Sequence, residues 1–92
     1  MAQFTPHPAL IDIQKMHRHY PATFWAPSNS ILRKIRKGDF IKIATNDERF
    51  WVEITKIIKT NRTYIYLGKV PGKLEFVYFQ RKHVYDVAPP QR

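Results

Sequence analysis

Residues 38–60 read GDFIKIATNDERFWVEITKIIKT, and apolar side chains alternate there with polar ones, as in two half-buried strands. Ile41 and Ile43 flank a lysine in the first half, and Val52 and Ile54 flank a glutamate in the second. The polar run TNDE between them consists of residues that suit a tight turn. The stretch therefore predicts an antiparallel hairpin with one buried face.

Turn signals after this hairpin divide the remaining chain into three more short strands. Asn61-Arg62 and Pro71-Gly72 are the turns, and Gly68 lies inside a predicted strand, where glycine often marks a bulge or a sharp bend. The predicted strands are 39–45, 49–59, 63–70, 74–80 and 83–87. The predicted shared core is Ile41, Ile43, Val52, Ile54, Ile65, Leu67 and Phe76. This pattern predicts a mainly β fold, namely a small SH3-like five-stranded antiparallel barrel or rolled sheet with an N-terminal helical extension.

The whole chain of 92 residues is predicted to be a single domain. Residues 1–37 form a helical and extended N-terminal layer in this prediction, residues 38–87 form the barrel, and residues 88–92 form a tail. The layer contains a short amphipathic helix near 8–17 and a second short helix over Ile31–Arg36.

Two aromatic residues in the N-terminal layer have no obvious place in the barrel. The segment 20–27 is bracketed by prolines and should be extended, so Phe24 and Trp25 should face opposite ways. One of the two should be buried, and the other should cover the core or belong to a binding surface.

Composition limits the compartment and the chemistry. The chain has no cysteine, which excludes disulfides and thiolate metal sites and fits a reducing cytoplasm. No apolar run is long enough for a membrane helix, and the N-terminus lacks the pattern of a signal peptide. A cytoplasmic protein without membrane association is the expectation, and the sequence does not specify its oligomeric state.

An enzyme is not expected. The sequence contains no nucleophile elbow and no glycine-rich phosphate loop. His83 and Asp86 are three residues apart, so on a strand they would lie on opposite faces. His17 and His19 have no acidic or sulfur residue clustered with them, as a structural metal site would require. We therefore predict no catalytic residues, no metal and no cofactor.

The charge points to an anionic partner. Sixteen Lys and Arg against seven Asp and Glu give a formal net charge of +9 and a pI of about 10.1. Nucleic acid requires cations for phosphates and, for single strands, aromatic faces for bases. The candidate binding residues are Arg33, Lys34, Arg36, Lys37, Arg49, Trp51, Lys56, Lys59, Arg62, Tyr64 and Tyr66.

A second interpretation stays open, because arginines beside aromatic residues also bind proteins. The alternative is a phage- or plasmid-type protein-binding module, or an inhibitor of a host protein complex, that contacts an acidic protein surface. The environment of Trp51 is also open to two interpretations, because this residue is out of phase with Val52 and Ile54 and should leave the main core. Either the segment 20–27 covers it or a partner does.

Several motifs resemble a widespread bacterial domain of unknown function, the YegJ-like family. They are the runs GDFIKI at 38–43, ERFWVEITKI at 48–57, YLGKV at 66–70 and KHVYDV at 82–87. Residues 71–80 make a shorter segment than the family pattern has there. The resemblance implies a small β-rich fold, often encoded on mobile elements, and it implies no established activity.

Overall fold

A computed structural model of the chain describes residues 9–72 and 75–89. Its two α-helices are α1 (Ile13–His19) and α2 (Asn29–Arg33), and a 3-10 turn spans Arg81–His83. Its five strands are β1 (Phe40–Ala44), β2 (Arg49–Lys59), β3 (Tyr64–Lys69), β4 (Phe76–Gln80) and β5 (Asp86–Val87). All five strands form one antiparallel sheet in the order β4-β3-β2-β1-β5.

The buried core lies on one face of this sheet. Ile41, Ile43, Val52 and Ile54 are all buried there, as the hairpin pattern predicts. Side chains from outside the sheet complete the cluster, namely Leu32 and Ile35 near α2 and Val84 after the 3-10 turn. Burial of such aliphatic side chains is the main source of stability in a domain of this size.

An extra residue in β2 interrupts the pairing with β3. Ile54 pairs with Gly68 and Lys56 pairs with Leu67, so Thr55 forms a bulge between them. The Thr55 hydroxyl donates a hydrogen bond to the Leu67 carbonyl at 3.1 Å. A glycine inside a strand predicts an irregularity, and one is found beside Gly68. The bulge itself lies in β2, the strand that pairs with the glycine.

The N-terminal layer is hydrogen-bonded to the sheet. The Ile11 N–H donates to the Ala44 carbonyl at 2.8 Å, and Leu10 forms an isolated bridge with Thr45. Helix α1 starts five residues later than predicted because Asp12 caps it, accepting a hydrogen bond from the Lys15 N–H. Ile13 on this helix is fully buried, and the helix packs against the 3-10 turn.

The sheet does not close into the barrel that was one of the two predicted forms. The outer edges of β4 and β5 pair with no other strand in the described part of the chain, so the sheet is open. The mainly β character and the five antiparallel strands are confirmed. The last predicted strand is much shorter than expected because residues 81–83 turn instead of extending.

The predicted core is only partly right in β3 and wrong in β4. Ile65 is buried as predicted. Phe76 is 55 % exposed and Leu67 is half-buried, whereas Tyr66, Val77 and Phe79 fill the core. Both faces of these strands carry apolar or aromatic residues, so alternation alone could not decide which face turns inward. Gly68 pairs with Val77, and Tyr66 pairs with Phe79. Because directly paired residues and residues two apart on a strand lie on the same face, all four share the inward face.

Part of the predicted C-terminal tail continues the hydrogen bonding of the sheet. The Ala88 N–H donates to the Phe40 carbonyl at 3.0 Å, so the first residue of the predicted tail still contacts β1. Residues 1–8, 73–74 and 90–92 lie outside the described residues, as does part of the predicted helix near 8–17. Among the described helices, none is long and apolar enough to cross a membrane.

His83 is a buried polar residue in the 3-10 turn. Its Nδ1 accepts the Gln80 N–H at 3.0 Å, so this nitrogen carries no proton in the folded state. Desolvation by burial lowers the pKa of His83, the charge of Lys82 lowers it further, and Asp12 opposes both by raising it.

The close approach of β2 and β3 can be tested with two substitutions. Val52→Ala should cost about 1–3 kcal/mol through cavity formation. Gly68→Ala should cost about 1–3 kcal/mol through overpacking, because its new Cβ would lie 2.6 Å from Val52 Cγ2. The double variant should lose less than the sum of the two, since Val52→Ala removes that Cγ2 atom. Urea unfolding measures all three, and additivity within about 0.5 kcal/mol would show that the two positions do not compete for space.

Stability should fall as His83 is driven to take up a proton. Because the folded-state pKa lies below the usual value of about 6.5, the unfolded chain binds the proton more readily. The contribution of neutral His83 to the free energy of unfolding is complete above about pH 6.5, and it diminishes as the pH falls toward the folded-state pKa. His83→Gln should reduce the difference in melting temperature between about pH 7.5 and pH 5.5. His19→Gln, at an exposed site, is the matched control, and equal pH dependence in wild type and His83→Gln would contradict this account.

Candidate functional site

The most basic concavity lies where the β2–β3 turn meets the β4–β5 turn. We call it the basic cleft; it is lined by residues 59–64 and 80–82 together with Gln14 of α1, and its volume is about 440 Å³. Four of its side chains are cations, namely Lys59, Arg62, Arg81 and Lys82. None of the described residues that line it is Asp or Glu. A concentration of positive charge without carboxylates attracts anions strongly.

Arg81 is held in place inside the basic cleft. Its guanidinium carbon lies 4.0 Å from the centre of the Tyr64 ring, and its Nε donates to the Tyr66 hydroxyl at 3.0 Å. Lys59 Nζ lies 5.7 Å from the same Tyr64 ring. Cations placed by such contacts lose less conformational entropy when an anion binds, because their side chains are already ordered.

Tyr66 has a different role from the predicted one. The sequence analysis places it on the exposed face as a binding residue, but its side chain is 1 % exposed. Its ring stacks on Phe79 in the core with 5.4 Å between the ring centres. A base cannot stack on a buried ring, so Tyr66 contributes to the cleft through the hydroxyl that holds Arg81. Tyr64 is half-buried and does line the cleft.

The cations around α2 line a different concavity. Lys34 and Arg36 face residues 87–89 across a cleft of about 770 Å³, which we call the Lys34 cleft. Arg33 lies in α2, where its Nε donates to the Asn29 carbonyl, and Lys37 is exposed in the following turn. No residue lines both this cleft and the basic cleft.

Lys56 is separated from the basic cleft by the geometry of its strand. It pairs with Leu67, whereas Lys59 pairs with Tyr64. Positions an odd number of residues apart on a strand point to opposite faces, so Lys56 and Lys59 do not act together.

Arg49 and Trp51 belong to a third group, on the outer face of the sheet near β5. This Trp51 cluster consists of Lys42, Arg49, Trp51 and Tyr85. Lys42 Nζ lies 5.6 Å from the Trp51 ring centre and 5.7 Å from that of Tyr85, and the Arg49 guanidinium lies 4.8 Å from Tyr85. Trp51 remains 37 % exposed, so the N-terminal layer does not enclose it.

The sequence analysis missed two of the four cations in the basic cleft. Arg81 and Lys82 follow the predicted strand 74–80 and are absent from the candidate binding residues. Their charge was visible, but their place beside residues 59–64 depends on the pairing of β3 with β4, which brings Ile65 opposite Gln80. A run of two cations directly after a predicted strand was the available signal.

The described part of the chain shows no group of side chains arranged for a metal. In the described ranges, no three His, Asp or Glu side chains lie close enough together to hold a metal ion. The arrangement of the basic cleft provides charge and hydrogen-bond donors, which suit the binding of anionic groups.

Comparisons with known proteins identify no relative of the chain. No family model matches the chain, and neither a curated protein nor a solved structure matches it. The resemblance to the YegJ-like family therefore stays an expectation from the sequence, and the functional argument depends on the chain's own residues.

Proposed function

We propose that the chain is a small non-catalytic binding module that contacts nucleic acid through the basic cleft. The observation that supports this most directly is the set of four cations around the cleft with no carboxylate among its described lining residues. Phosphate groups of nucleic acid are neutralised by such lysines and arginines, and the release of counterions adds to the affinity.

The polar lining of the basic cleft favours a nucleic acid over a small anion. Between the cations, the cleft presents Thr60, Asn61, Thr63, Gln14 and Gln80. Hydroxyl and amide groups of this kind donate to phosphates and sugars, and amides also read base edges. The net charge of +9 would speed the encounter with any polyanion.

The same proposal includes the finer description of the fold. We propose that the open sheet is rolled in the SH3-like manner predicted from the sequence. Two features support it: β5 returns beside β1 at one edge, and strands β1 to β4 contribute to one shared core.

A protein-binding module is the second candidate, and the outer face of the sheet favours it. Phe40, Trp51 and Phe76 are exposed large side chains, and the cross-strand pairs place all three on the face opposite the core. Aromatic residues beside Lys42 and Arg49 have the composition of a protein-binding hot spot. Such a surface would serve a phage- or plasmid-type module or an inhibitor of a host protein complex.

The salt dependence of oligonucleotide binding distinguishes the two candidates. We expect the full chain to bind a labelled oligothymidylate of about 12 nucleotides, measured by fluorescence anisotropy. The affinity should fall steeply and linearly on a log–log plot between about 50 and 200 mM salt. The double variant Arg62→Ala/Lys82→Ala should bind more weakly, and its salt slope should be smaller by about 1.4 because two phosphate contacts to a single strand are lost.

The matched control is the double variant Lys15→Ala/Lys69→Ala, which removes the same charge at positions that do not line the basic cleft. It should keep the wild-type slope. Equal loss in both double variants would mean that the overall charge, and not the basic cleft, attracts the oligonucleotide. Absence of binding at about 50 mM salt would refute the nucleic-acid proposal and favour a protein partner.

A further inference from the structure

Three clefts adjoin one another around the N-terminal layer. A second concavity, the Trp25 cleft, has a volume of about 540 Å³ and is lined by His17, Arg18, residues 25–29 and Ile31, together with Gln14. Gln14 also lines the basic cleft, and Ile31 also lines the Lys34 cleft. Each cleft therefore shares a lining residue with the next, and we call this series of three neighbouring clefts the path across α1.

Positive charge continues along this path. Arg18 lies in the Trp25 cleft, and Lys34 and Arg36 lie in the Lys34 cleft, beyond the four cations of the basic cleft. Asp39 is the carboxylate among the described residues that line the path, and its Oδ2 accepts the Arg36 N–H at 2.8 Å.

Two other concavities have no excess of positive charge. Asp47 and Glu48 line one of them beside Lys42 and Arg49, and Glu48 and Glu75 line the other. Asp47, Glu48 and Glu75 thus lie away from the three adjoining clefts. This segregation would direct a polyanion to the path across α1.

Trp25 is an exposed aromatic side chain on an ordered support. It is 51 % exposed. The residue before it is held twice: the Phe24 N–H donates to the Tyr20 carbonyl at 2.9 Å, and the Phe24 carbonyl is hydrogen-bonded to Nδ1 of His17. Two residues later, Pro27 is buried. An indole on a backbone held in this way can accept a base on its face without ordering of the chain on either side of it.

We propose that the ligand is a single-stranded nucleic acid that extends from the basic cleft across α1, with one of its bases stacked on Trp25. This inference rests on the proposed function, because the basic cleft would hold the phosphates at one end of the strand. A single strand is favoured over a duplex because its bases are free to stack on an aromatic side chain. Arg18, beside Trp25, would neutralise the phosphate next to the stacked base.

Three substitutions at one position separate stacking from the loss of apolar surface. Trp25→Leu keeps an apolar side chain but removes the aromatic face, and it should weaken binding of an oligothymidylate of about 12 nucleotides by about tenfold. Trp25→Phe should retain most of the affinity, and Trp25→Ala should resemble Trp25→Leu. Binding of a duplex of the same length should change by less than about twofold in all three. Thermal melts check that each variant is folded, as expected for an exposed position.

Trp51→Leu is the matched control, since it removes an exposed indole outside the path and should leave the affinity unchanged. A second readout is tryptophan fluorescence in a Trp51→Phe background, where Trp25 is the remaining tryptophan. We expect the oligothymidylate to quench it. The inference is overturned if Trp25→Leu and Trp25→Phe both bind like wild type, or if Trp51→Leu is the variant that weakens binding.

The outcomes of the two experiments are distinguishable. If Arg62→Ala/Lys82→Ala weakens oligonucleotide binding while all the Trp25 variants bind normally, the proposed function stands and the extended path is wrong. If the wild-type chain binds no oligonucleotide, both proposals are wrong.

Discussion

The close contact of β3 with β2 at Gly68 is the constraint on which the rest of the structure depends. A Cβ at this position would lie 2.6 Å from Val52 Cγ2 and 2.9 Å from Val52 Cβ, closer than real Cβ atoms approach, and it would make a tight contact of 3.0 Å with Phe79 Cε1. The bulge at Thr55 lies directly opposite, and its hydroxyl satisfies the Leu67 carbonyl. Together they let two adjacent strands change direction while the core beneath them stays filled. A side chain at position 68 would have to push Val52 or Phe79 out of that core.

The local geometry at Gly68 also determines where the cations lie. After the bulge, Ile57 and Lys59 point to the face of the sheet on which Ile54 lies before it, so the phase of β2 is reversed. Without the extra residue, Lys59 would lie on the opposite face from Tyr64 and could not contribute to the basic cleft. The position of a cation at the end of β2 therefore depends on one irregular residue in the middle of the strand.

Much of the fold could be predicted from the sequence because the hairpin strands have one strongly apolar face. The bounds of β1 and β2 and the burial of Ile41 and Val52 follow from that alternation. The orientation of β3 and β4 could not be predicted, since Tyr66 and Phe79 compete with Leu67 and Phe76 for the core and all four are large. Of the basic cleft, the half contributed by the β2–β3 turn was identified from the sequence. The half after β4 was not, because it joins the first half only through strand pairing.

Tyr66 connects the interior of the protein with its surface. Its ring packs on Phe79, while its hydroxyl accepts the hydrogen bond from Arg81. Removal of the arginine would leave a hydroxyl of a nearly buried residue without this partner, and an unsatisfied buried group is costly. Arg81 is therefore constrained by the folded state and, if the proposed function holds, by the ligand as well, whereas exposed Arg62 and Lys82 are free of the first constraint. Over evolutionary time, affinity should be adjusted more readily at those two positions, while position 81 should change only together with position 66.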